Sequence, residues 1–303
     1  MDERCFKTKQ PLNELTTLAI GGCARYFLSV KTLDELQEVI YFCEKKGICY
    51  VVIGKGSNLV FDDQGYDGLV IRNEISYFSH EAEKFSAGAG YSFALLGVKS
   101  ARAGWSGLEF ASGIPASVGG AVFMNAGANG QEVKDALLSV DVFVPGQGVK
   151  NFEKSQLEFS YRSSTFHQEK WTILGAHFVL SPHPDAKKRQ LEIINYRTKT
   201  QPYGEASAGC IFRNPKGYSA GALIEKSGLK GMNFGDVAVS DLHANFLVNK
   251  GKASFVDFLA LVQAVQEKVY QIHGLLLETE IQYISHDAST SCNLLYTREQ
   301  ENP

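Results

Sequence analysis

The sequence predicts an α+β protein, and two features of the chain support this class. Amphipathic segments with helix-capping residues alternate with short apolar runs that are typical of strands. Three segments rich in glycine and other small residues interrupt them, around Gly54, over 107–127 and around Gly209. Glycine lets a backbone approach a ligand closely, so the combination indicates a protein that binds a nucleotide or a flavin.

Composition excludes several classes of protein. The chain has 303 residues, of which 44% are hydrophobic and 21% charged, with a net charge of −3. This length predicts two or three domains, and the balance of charge gives no footprint for nucleic acid or an anionic membrane. The six cysteines form no C-x-x-C pair, and no leader or membrane-spanning stretch is visible, so we expect a cytoplasmic protein without a metal site.

Helix signals are clearest at four places. Thr32 and Glu35 form a capping box for a helix that ends near Gly47, with Cys43 on its apolar face. Ser92, Asp185 and Ser254 are the predicted caps of three more helices. The last regular element is a predicted strand over 275–284, in which Glu278, Glu280 and Gln282 share one face.

Domain boundaries follow from breaks in these patterns. Pro182-His183-Pro184 predicts a boundary at residue 184. We expect a cofactor-binding region over 1–184, with subdomains of about 1–60 and 61–184, and a substrate-binding domain over 185–285. The polar tail over 286–303 is expected to be disordered.

The first glycine loop joins two apolar runs through Gly54-Lys55-Gly56-Ser57-Asn58. It fails as a Walker loop, because Gly56 and not a Ser or Thr follows Lys55, and as a dinucleotide fingerprint, because Leu59 replaces the third glycine. By itself the loop fits an ordinary tight turn slightly better than a cofactor loop. The stretch over 107–127 indicates a planar or phosphorylated group packed on backbone; a close helix–sheet crossing is the alternative.

Three side chains could take part in a reaction, and each has a simpler explanation. Arg162 lies in a polar segment, where a solvated arginine is the usual case. Cys210 lies among small residues, where an inert buried thiol is common. Glu280 could be an exposed residue of a half-solvated strand. Spacing alone does not bring these three together.

The motifs occur in an ordered set that spans about residues 12–284. In chain order they are Thr17–Gly22, Gly54–Leu59, Ser112–Pro115, Gly119–Ala121, Asn125–Gly127, Tyr161–Arg162, Ser207–Pro215 and His243–Phe246. This set resembles the UDP-N-acetylenolpyruvoylglucosamine reductases. The short stretch between Asn214 and His243 resembles the shorter, second type of the family.

The resemblance implies a fold, a cofactor and a reaction. The fold would be an FAD-binding domain of the vanillyl-alcohol-oxidase (PCMH-type) superfamily, followed by a smaller α+β substrate-binding domain. FAD would be held non-covalently and reduced by NADPH. Flavin N5 would then pass hydride to the enolpyruvyl carbon distal to the carboxylate, giving UDP-N-acetylmuramate for peptidoglycan synthesis.

The resemblance also assigns roles to residues. Arg162, Cys210 and Glu280 would be catalytic, with Glu278 the nearest alternative to Glu280, and Tyr161 and Asn214 would contact the substrate. Residues implied to hold FAD are Gly54, Lys55, Gly56, Ser57, Asn58, Gly113, Ile114, Pro115, Ser117, Gly119, Gly120, Gly127 and Arg197.

The chain departs from the family pattern at three positions. Cys210 replaces a serine; a thiol with an ordinary pKa of about 8.5 is the stronger acid, so it can donate a proton, and we expect it to be open to oxidation if exposed. Gln282 replaces an arginine that would contact an anion. Ala116 replaces a glycine of the flavin loop. His243 belongs to a motif, but its chemistry suggests no role.

Two other functions remain open from the sequence. One is another FAD-dependent oxidase or dehydrogenase; covalent-flavin relatives need a His or Cys at the loop, and 54–61 contains neither. The other is a non-catalytic sugar-nucleotide-binding protein. The expected partners are the small-molecule substrate alone, without nucleic acid or membrane, and the expected state is a monomer.

Overall fold

The computed structural model describes residues 3–288, so the predicted tail lies outside the described residues from 289 onward. Seven α-helices occur in this part of the chain: α1 (Leu33–Lys46), α2 (Phe93–Arg102), α3 (Val118–Phe123), α4 (Val133–Ala136), α5 (Ala186–Thr200), α6 (Ala220–Lys226) and α7 (Phe255–His273). Four short 3-10 helices accompany them: Glu3–Cys5, Glu109–Gly113, Lys154–Gln156 and Thr165–His167.

The same residues form short strands throughout. They are β1 (Lys7–Pro11), β2 (Cys23–Val30), β3 (Tyr50–Ile53), β4 (Leu59–Phe61), β5 (Tyr66–Asn73), β6 (Phe78–Glu81), β7 (Lys84–Gly88), β8 (Trp105–Ser106), β9 (Gly127–Ala128), β10 (Gln131–Glu132), β11 (Leu137–Val144), β12 (Gly148–Glu153), β13 (Phe159–Ser160), β14 (Ser163–Ser164), β15 (Thr172–Val179), β16 (Ser181–Pro182), β17 (Ala206–Cys210), β18 (Asn233–Phe234), β19 (Val237–Val239), β20 (Phe246–Asn249) and β21 (Gln282–Ile284).

The first sheet has the strand order β1-β2-β5-β3. β5 pairs in parallel with β2 and β3, and β1 pairs antiparallel with β2. α1 supplies the crossover, and the predicted capping box of Thr32 and Glu35 is present at its start. Cys43 is fully buried in the apolar face of α1, as predicted. Because β5 belongs to this sheet, the strand order favours a first subdomain that extends to Asn73 over the predicted boundary at about residue 60.

The second sheet is antiparallel, with the order β12-β11-β15-β7-β6. Its inner face packs against α2 and α3 around a core that includes Phe93, Phe110 and Phe178. β11 and β15 pair antiparallel within this sheet. α2 begins at Ser92, whose hydroxyl accepts a hydrogen bond from the backbone N–H of Leu95 at 3.4 Å, so this cap prediction is confirmed.

The third sheet has the order β17-β20-β19-β18 and packs against α6 and α7. α7 begins at Ser254, whose hydroxyl accepts from the backbone N–H of Asp257 at 3.0 Å, and ends at Gly274 in the left-handed conformation. The cap at Ser254 was predicted. α5 precedes this sheet but packs against α2 and the turn over 109–113. Its contacts favour a boundary after α5, near residue 201, over the predicted boundary at residue 184.

Two local predictions are corrected. Asp185 lies at the start of α5, but its side chain makes no capping hydrogen bond. The predicted strand over 275–284 is reduced to β21, with an isolated bridge between Thr279 and Phe212. The reason is the partner: β21 pairs in parallel with β4, which is only three residues long. This pairing places β21 against β4, the strand that directly follows the first glycine loop.

A polar cluster on the outer face of the second sheet leads to the first prediction. His177 Nε2 lies 2.8 Å from Asp141 Oδ2, and His177 Nδ1 lies 2.7 Å from Ser86 Oγ. The hydrogen bond to His177 lowers the pKa of Asp141, and the same bond raises the pKa of His177. The contribution of Asp141 to the stability of the folded state is lost as pH falls through its lowered pKa. The contribution of His177 to that stability is lost as pH rises through its raised pKa.

The pair therefore stabilises the fold most between about pH 4 and 6.5, the two unfolded-state pKa values. We expect Asp141→Asn to lower the free energy of unfolding by about 1 kcal/mol at pH 5.5, and by less above pH 8. Urea unfolding at both pH values measures this difference. Asp67→Asn, which removes the exposed pair with Arg25, is the matched control and should change little at either pH. An equal loss for Asp141→Asn at both pH values would contradict the prediction.

Candidate active site

The first glycine loop, the start of α2 and the start of α3 meet where FAD was expected to bind. The first glycine loop runs from the end of β3 to the start of β4. A Cβ built on Gly54 would overlap Ser117 Oγ, so this loop lies directly against the start of α3. Lys55 Nζ donates to Ser92 Oγ at 2.9 Å, and Ser92 forms a β-bridge with Ser117. The structure therefore brings the first two glycine-rich stretches together.

The polar groups in this region fit a phosphate-bearing flavin cofactor. Burial, with the neighbouring charge of Arg72, lowers the pKa of Lys55, and its only hydrogen bond within residues 3–288 is to a neutral hydroxyl. A partly buried lysine whose ammonium group bonds a neutral hydroxyl favours the binding of an anion. The buried hydroxyl oxygens of Ser112 and Tyr91 have no hydrogen-bond partner among the described residues. Buried polar atoms are normally bonded, so these two are available to a ligand.

Gly56 shows how tightly the first loop is built. Its φ is +65°, and a Cβ there would overlap the carbonyl oxygen of Leu15. Its own carbonyl accepts from the N–H of Thr17 at 3.1 Å, and the Thr17 hydroxyl donates to the carbonyl of Ser207 at 2.7 Å. The loop is thus fixed to the Thr17–Gly22 motif and, through Thr17, to the glycine-rich segment around Gly209.

We expect Gly56→Ala to lower the free energy of unfolding by about 2 kcal/mol or more, because the left-handed backbone and the steric overlap both penalise a side chain. The bound FAD per chain should fall with it. Gly204→Ala is the control, since that glycine has open space and no left-handed φ. Thermal unfolding and the flavin absorbance of purified protein measure both effects. If Gly56→Ala and Gly204→Ala had the same stability and flavin content, the role assigned to Gly56 in shaping the loop would be contradicted.

Arg197 reaches this region from α5. A Cβ on Gly113 would overlap Arg197 Cδ and Nε. Arg197 Nε donates to the hydroxyl of Tyr203 at 2.9 Å, and that hydroxyl donates to the carbonyl of Gly113 at 2.7 Å. Sequence reasoning missed Tyr203, which no motif marks. The Tyr203 hydroxyl thus links Arg197, which was predicted to hold FAD, to the carbonyl of Gly113.

The other residues of the second stretch have structural explanations beside their predicted role. Ile114 and Pro115 connect the turn over 109–113 to α3, and Ser117 Oγ caps α3 by accepting from the N–H of Gly120 at 3.3 Å. The N–H of Gly119 donates to the carbonyl of Ala89 at 2.9 Å. Ala116 has no left-handed φ, so the backbone here does not need the glycine that it replaces.

Arg162 is held in the turn between β13 and β14 with a left-handed φ of +56°. Its Nη2 donates to the carbonyl of Gly127 at 2.8 Å, so Gly127 supports the arginine, whatever it contributes to FAD. Its Nε lies 2.9 Å from Glu280 Oε1, and its Nη1 lies 3.9 Å from Glu132 Oε1. Non-glycine residues rarely adopt this conformation, so these contacts fix a strained residue, which is common at functional sites.

Glu280 contacts both the first glycine loop and the segment that follows β17. The Asn58 side-chain amide donates to the carbonyl of Glu280 at 3.2 Å, and the N–H of Glu280 donates to the carbonyl of Ile211 at 2.7 Å. Its side chain is 16% exposed, whereas that of Glu278 is 74% exposed. Burial raises the pKa of Glu280, while Arg162 opposes the rise. These observations favour Glu280 over Glu278 as the acid of the site.

Cys210 ends β17 at an irregularity in the pairing with β20, just after Gly209 with its φ of +78°. Burial raises the pKa of its thiol to about 12, and the negative charge of Glu280 adds to the rise. The nearby side-chain amide of Asn245 partly opposes this rise in the pKa. A thiol held protonated can act as an acid, but it forms little thiolate. Because the reactive species is the thiolate, the raised pKa favours a thiol that resists oxidation, although its side chain is partly exposed.

Asn245 was missed by sequence reasoning, although it lies in the His243–Phe246 motif. Its amide Nδ2 donates to the carbonyl of Phe212 at 2.8 Å, and its Oδ1 accepts from the N–H of Phe212 at 3.0 Å. His243 Nδ1 accepts from the N–H of Asn245 at 3.3 Å. The histidine therefore orders the turn that presents Asn245, which answers the open question about His243.

The predicted substrate contacts lie at the mouth of this site. The N–H of Asn214 donates to the hydroxyl of Tyr161 at 3.4 Å, and the Tyr161 ring lies 4.9 Å from Arg162 Cζ. Gln282 pairs through its N–H with the carbonyl of Asn58 at 3.0 Å, and its side chain bonds the carbonyl of Glu280. It does not replace an anion-binding arginine. Ser57 lies beside Asn58, partly buried in the same loop.

Comparisons with known proteins identify the family. Residues 24–149 match an FAD binding domain, and residues 201–284 match the C-terminal domain of UDP-N-acetylenolpyruvoylglucosamine reductase. The reductase of that name from Protochlamydia amoebophila is 51% identical over 286 residues, covering 94% of this chain and 95% of that protein. The chain belongs to the UDP-N-acetylenolpyruvoylglucosamine reductase family. The Chlamydia pneumoniae reductase is 43% identical over 91% of this chain and 90% of its own.

A solved structure extends this agreement to the fold. The crystal structure of UDP-N-acetylenolpyruvylglucosamine reductase from Thermus caldophilus superposes with a TM-score of 0.78, at 39% identity, over 90% of this chain and 96% of its own. The family resemblance and the α+β fold, with an FAD-binding domain before a C-terminal domain, are thus confirmed. Within residues 3–288, no helix has both the length and the apolar character needed to cross a membrane.

Proposed function

We propose that the protein is an NADPH-dependent FAD enzyme that reduces UDP-N-acetyl-3-O-(1-carboxyvinyl)-glucosamine to UDP-N-acetylmuramate in peptidoglycan precursor synthesis. Family membership over nearly the whole chain supports the reaction. The observation that carries the residue assignment is the 2.9 Å contact between Arg162 Nε and Glu280 Oε1, within electrostatic reach of the Cys210 thiol. FAD would be held by Gly54–Asn58, Gly113–Gly120, Gly127 and Arg197.

Each catalytic side chain meets one need of this reaction. Bound FAD would supply the redox chemistry, taking hydride from NADPH and giving it to the enolpyruvyl carbon distal to the carboxylate. Negative charge then develops on the substrate's carboxylate oxygens as an enolate forms. The guanidinium fork of Arg162 stabilises this charge. Glu280 would share a proton with the same oxygens, and burial shifts the pKa of this carboxyl upward, the direction that such a role requires.

Cys210 completes the reaction by delivering a proton to the enolate carbon. Its thiol pKa of about 12 keeps the proton in place at neutral pH until the strongly basic enolate carbon forms. The resulting thiolate is a strong base in this buried site, so it regains a proton from solvent before the next turnover. Tyr161 and Asn214 line the entrance and are assigned to the substrate.

The experiment begins with the cofactor. Purified protein should be yellow and should release FAD on denaturation. Under anaerobic conditions NADPH should bleach the flavin, and the enolpyruvyl sugar nucleotide should restore its colour in a stopped-flow measurement. Unrelated acceptors should not. Protein that stays colourless after incubation with FAD, or a bleached flavin that the sugar nucleotide leaves unchanged, would refute the proposal.

The same measurement separates the two alternatives. A different FAD oxidase would be reoxidised by another acceptor, and a sugar-nucleotide-binding protein without catalysis would bind the ligand without change of flavin colour. We further propose that the protein acts as a monomer in the cytoplasm, with the sugar nucleotide as its small-molecule partner. Sedimentation of the holoenzyme tests the monomer, and fractionation of cells tests the location.

A further inference from the structure

Arg213 has hydrogen-bonding capacity that the described residues leave unused. Its side chain is 27% exposed, and Nη2 donates to the carbonyl of Arg162 at 3.4 Å. Its Nε is buried and has no hydrogen-bond partner among the described residues. A buried donor without a partner costs free energy, and a guanidinium has five N–H groups to satisfy. This arrangement indicates a ligand that completes the shell.

No carboxylate within residues 3–288 makes a close pair with this guanidinium. Glu278 Oε2 lies 3.9 Å from Arg213 Nη1, but that glutamate is mostly exposed and such pairs contribute little. By contrast, Glu280 Oε1 lies 2.9 Å from Arg162 Nε. Arg213 therefore keeps a guanidinium near Glu280 that the described residues neutralise only weakly.

The backbone places Arg213 beside the reacting groups. Its N–H donates to the carbonyl of Glu278 at 2.9 Å, next to the bridge of Phe212 with Thr279. Residues on paired strands lie within a few ångströms of the opposite residue and its diagonal neighbours, and Glu280 is such a neighbour. The charge of Arg213 also opposes the rise in the pKa of Glu280, which agrees with this proximity.

We infer that Arg213 is a substrate-binding residue whose guanidinium contacts the carboxylate of the enolpyruvyl group, beside Arg162. The inference rests on the proposed function and names a second cation for the same site. A carboxylate accepts several hydrogen bonds, so two arginine forks can share it. Gln282, which bonds the backbone of Glu280, leaves the strand after the catalytic glutamate without a cation, and Arg213 supplies one from the opposite segment.

The test compares two ligands of the oxidised holoenzyme. The enolpyruvyl sugar nucleotide carries the carboxylate, whereas UDP-N-acetylglucosamine has the same diphosphate and sugar without it. Titration of the flavin absorbance gives both dissociation constants. We expect Arg213→Gln to weaken binding of the enolpyruvyl compound at least tenfold and to leave that of UDP-N-acetylglucosamine within twofold. The KM for the enolpyruvyl compound should rise similarly, while flavin bleaching by NADPH keeps its rate.

Each other result decides against the inference. Equal weakening for both ligands would place Arg213 on the diphosphate, and unchanged binding of both would make it structural. If Arg213→Gln does not retain FAD, Arg213→Lys serves instead; its point charge should give a smaller loss for the enolpyruvyl compound alone, and unchanged binding overturns the inference. Arg25→Gln, which alters an exposed arginine, is the control. Wild-type protein that does not turn over the enolpyruvyl compound would refute the proposed function itself.

Discussion

Replacing Arg162 by methionine is expected to lower turnover of the enolpyruvyl sugar nucleotide by about a hundredfold to a thousandfold, the usual cost of removing a group that stabilises developing negative charge. The guanidinium is fixed by Glu280 and the carbonyl of Gly127, so it needs little rearrangement when the enolate forms. Turnover by Arg162→Lys should lie between that of the wild type and that of Arg162→Met, because lysine keeps the positive charge and loses the guanidinium fork.

Half-reactions show whether this loss belongs to the chemical step. Bleaching of the flavin by NADPH should proceed within a fewfold of the wild-type rate in Arg162→Met, whereas reoxidation by the sugar nucleotide should be slow. The melting temperature and flavin content report on the strained turn, since methionine must adopt the same left-handed φ. Reoxidation within tenfold of wild type in a folded, flavin-bound variant would remove Arg162 from the catalytic residues.

Cys210→Ala is expected to retain reduction by NADPH and to lose turnover of the sugar nucleotide by about a hundredfold or more, the usual contribution of a positioned acid. Cys210→Ser should stay active, because a hydroxyl can occupy the same place and carry a proton. Near-normal turnover of Cys210→Ala would exclude the thiol as the proton donor. Cys23→Ala removes an exposed cysteine and is the control.

The raised thiol pKa adds a dependence on pH. A pKa of about 12 means that Cys210 stays protonated across the range in which the enzyme can be assayed. Any loss of activity between pH 7 and 10 should therefore belong to another group and should persist in Cys210→Ser. For the same reason iodoacetamide should modify exposed Cys5 and Cys23 well before Cys210. Preferential loss of Cys210 would contradict this account.

The local predictions succeeded where a few adjacent residues decide the structure. The capping box of Thr32 and Glu35 and the cap of Ser254 depend on side chains that bond backbone three residues away, so the sequence contains the whole interaction. Asp185 shows the limit of such patterns, since a suitable residue at the start of a helix need not make the bond. The strand over 275–284 failed because strand length depends on a distant partner, β4.

The site could be predicted only through the family resemblance. Nothing in the spacing of Arg162, Cys210 and Glu280 indicates that a turn, an irregular strand end and a C-terminal segment converge. Asn245 and Tyr203 were missed for the same reason: each acts by bonding the backbone of a residue far away in the chain. Arg213 was passed over because its neighbour Asn214 matched a known pattern, while its own unbonded Nε is visible only in three dimensions.

The pairing of β21 with β4 has a consequence for how the protein is made. Asn58 and Glu280 are bonded across 222 positions of the chain, so the ribosome completes the glycine loop long before it adds the glutamate that the loop holds. Long-range contacts of this kind form late, after a large loss of chain entropy. A nascent or prematurely ended chain can therefore contain every residue of the first loop and still lack Glu280, the proposed acid. If Glu280 has that role, we expect no activity before this segment has been made and has paired with the loop.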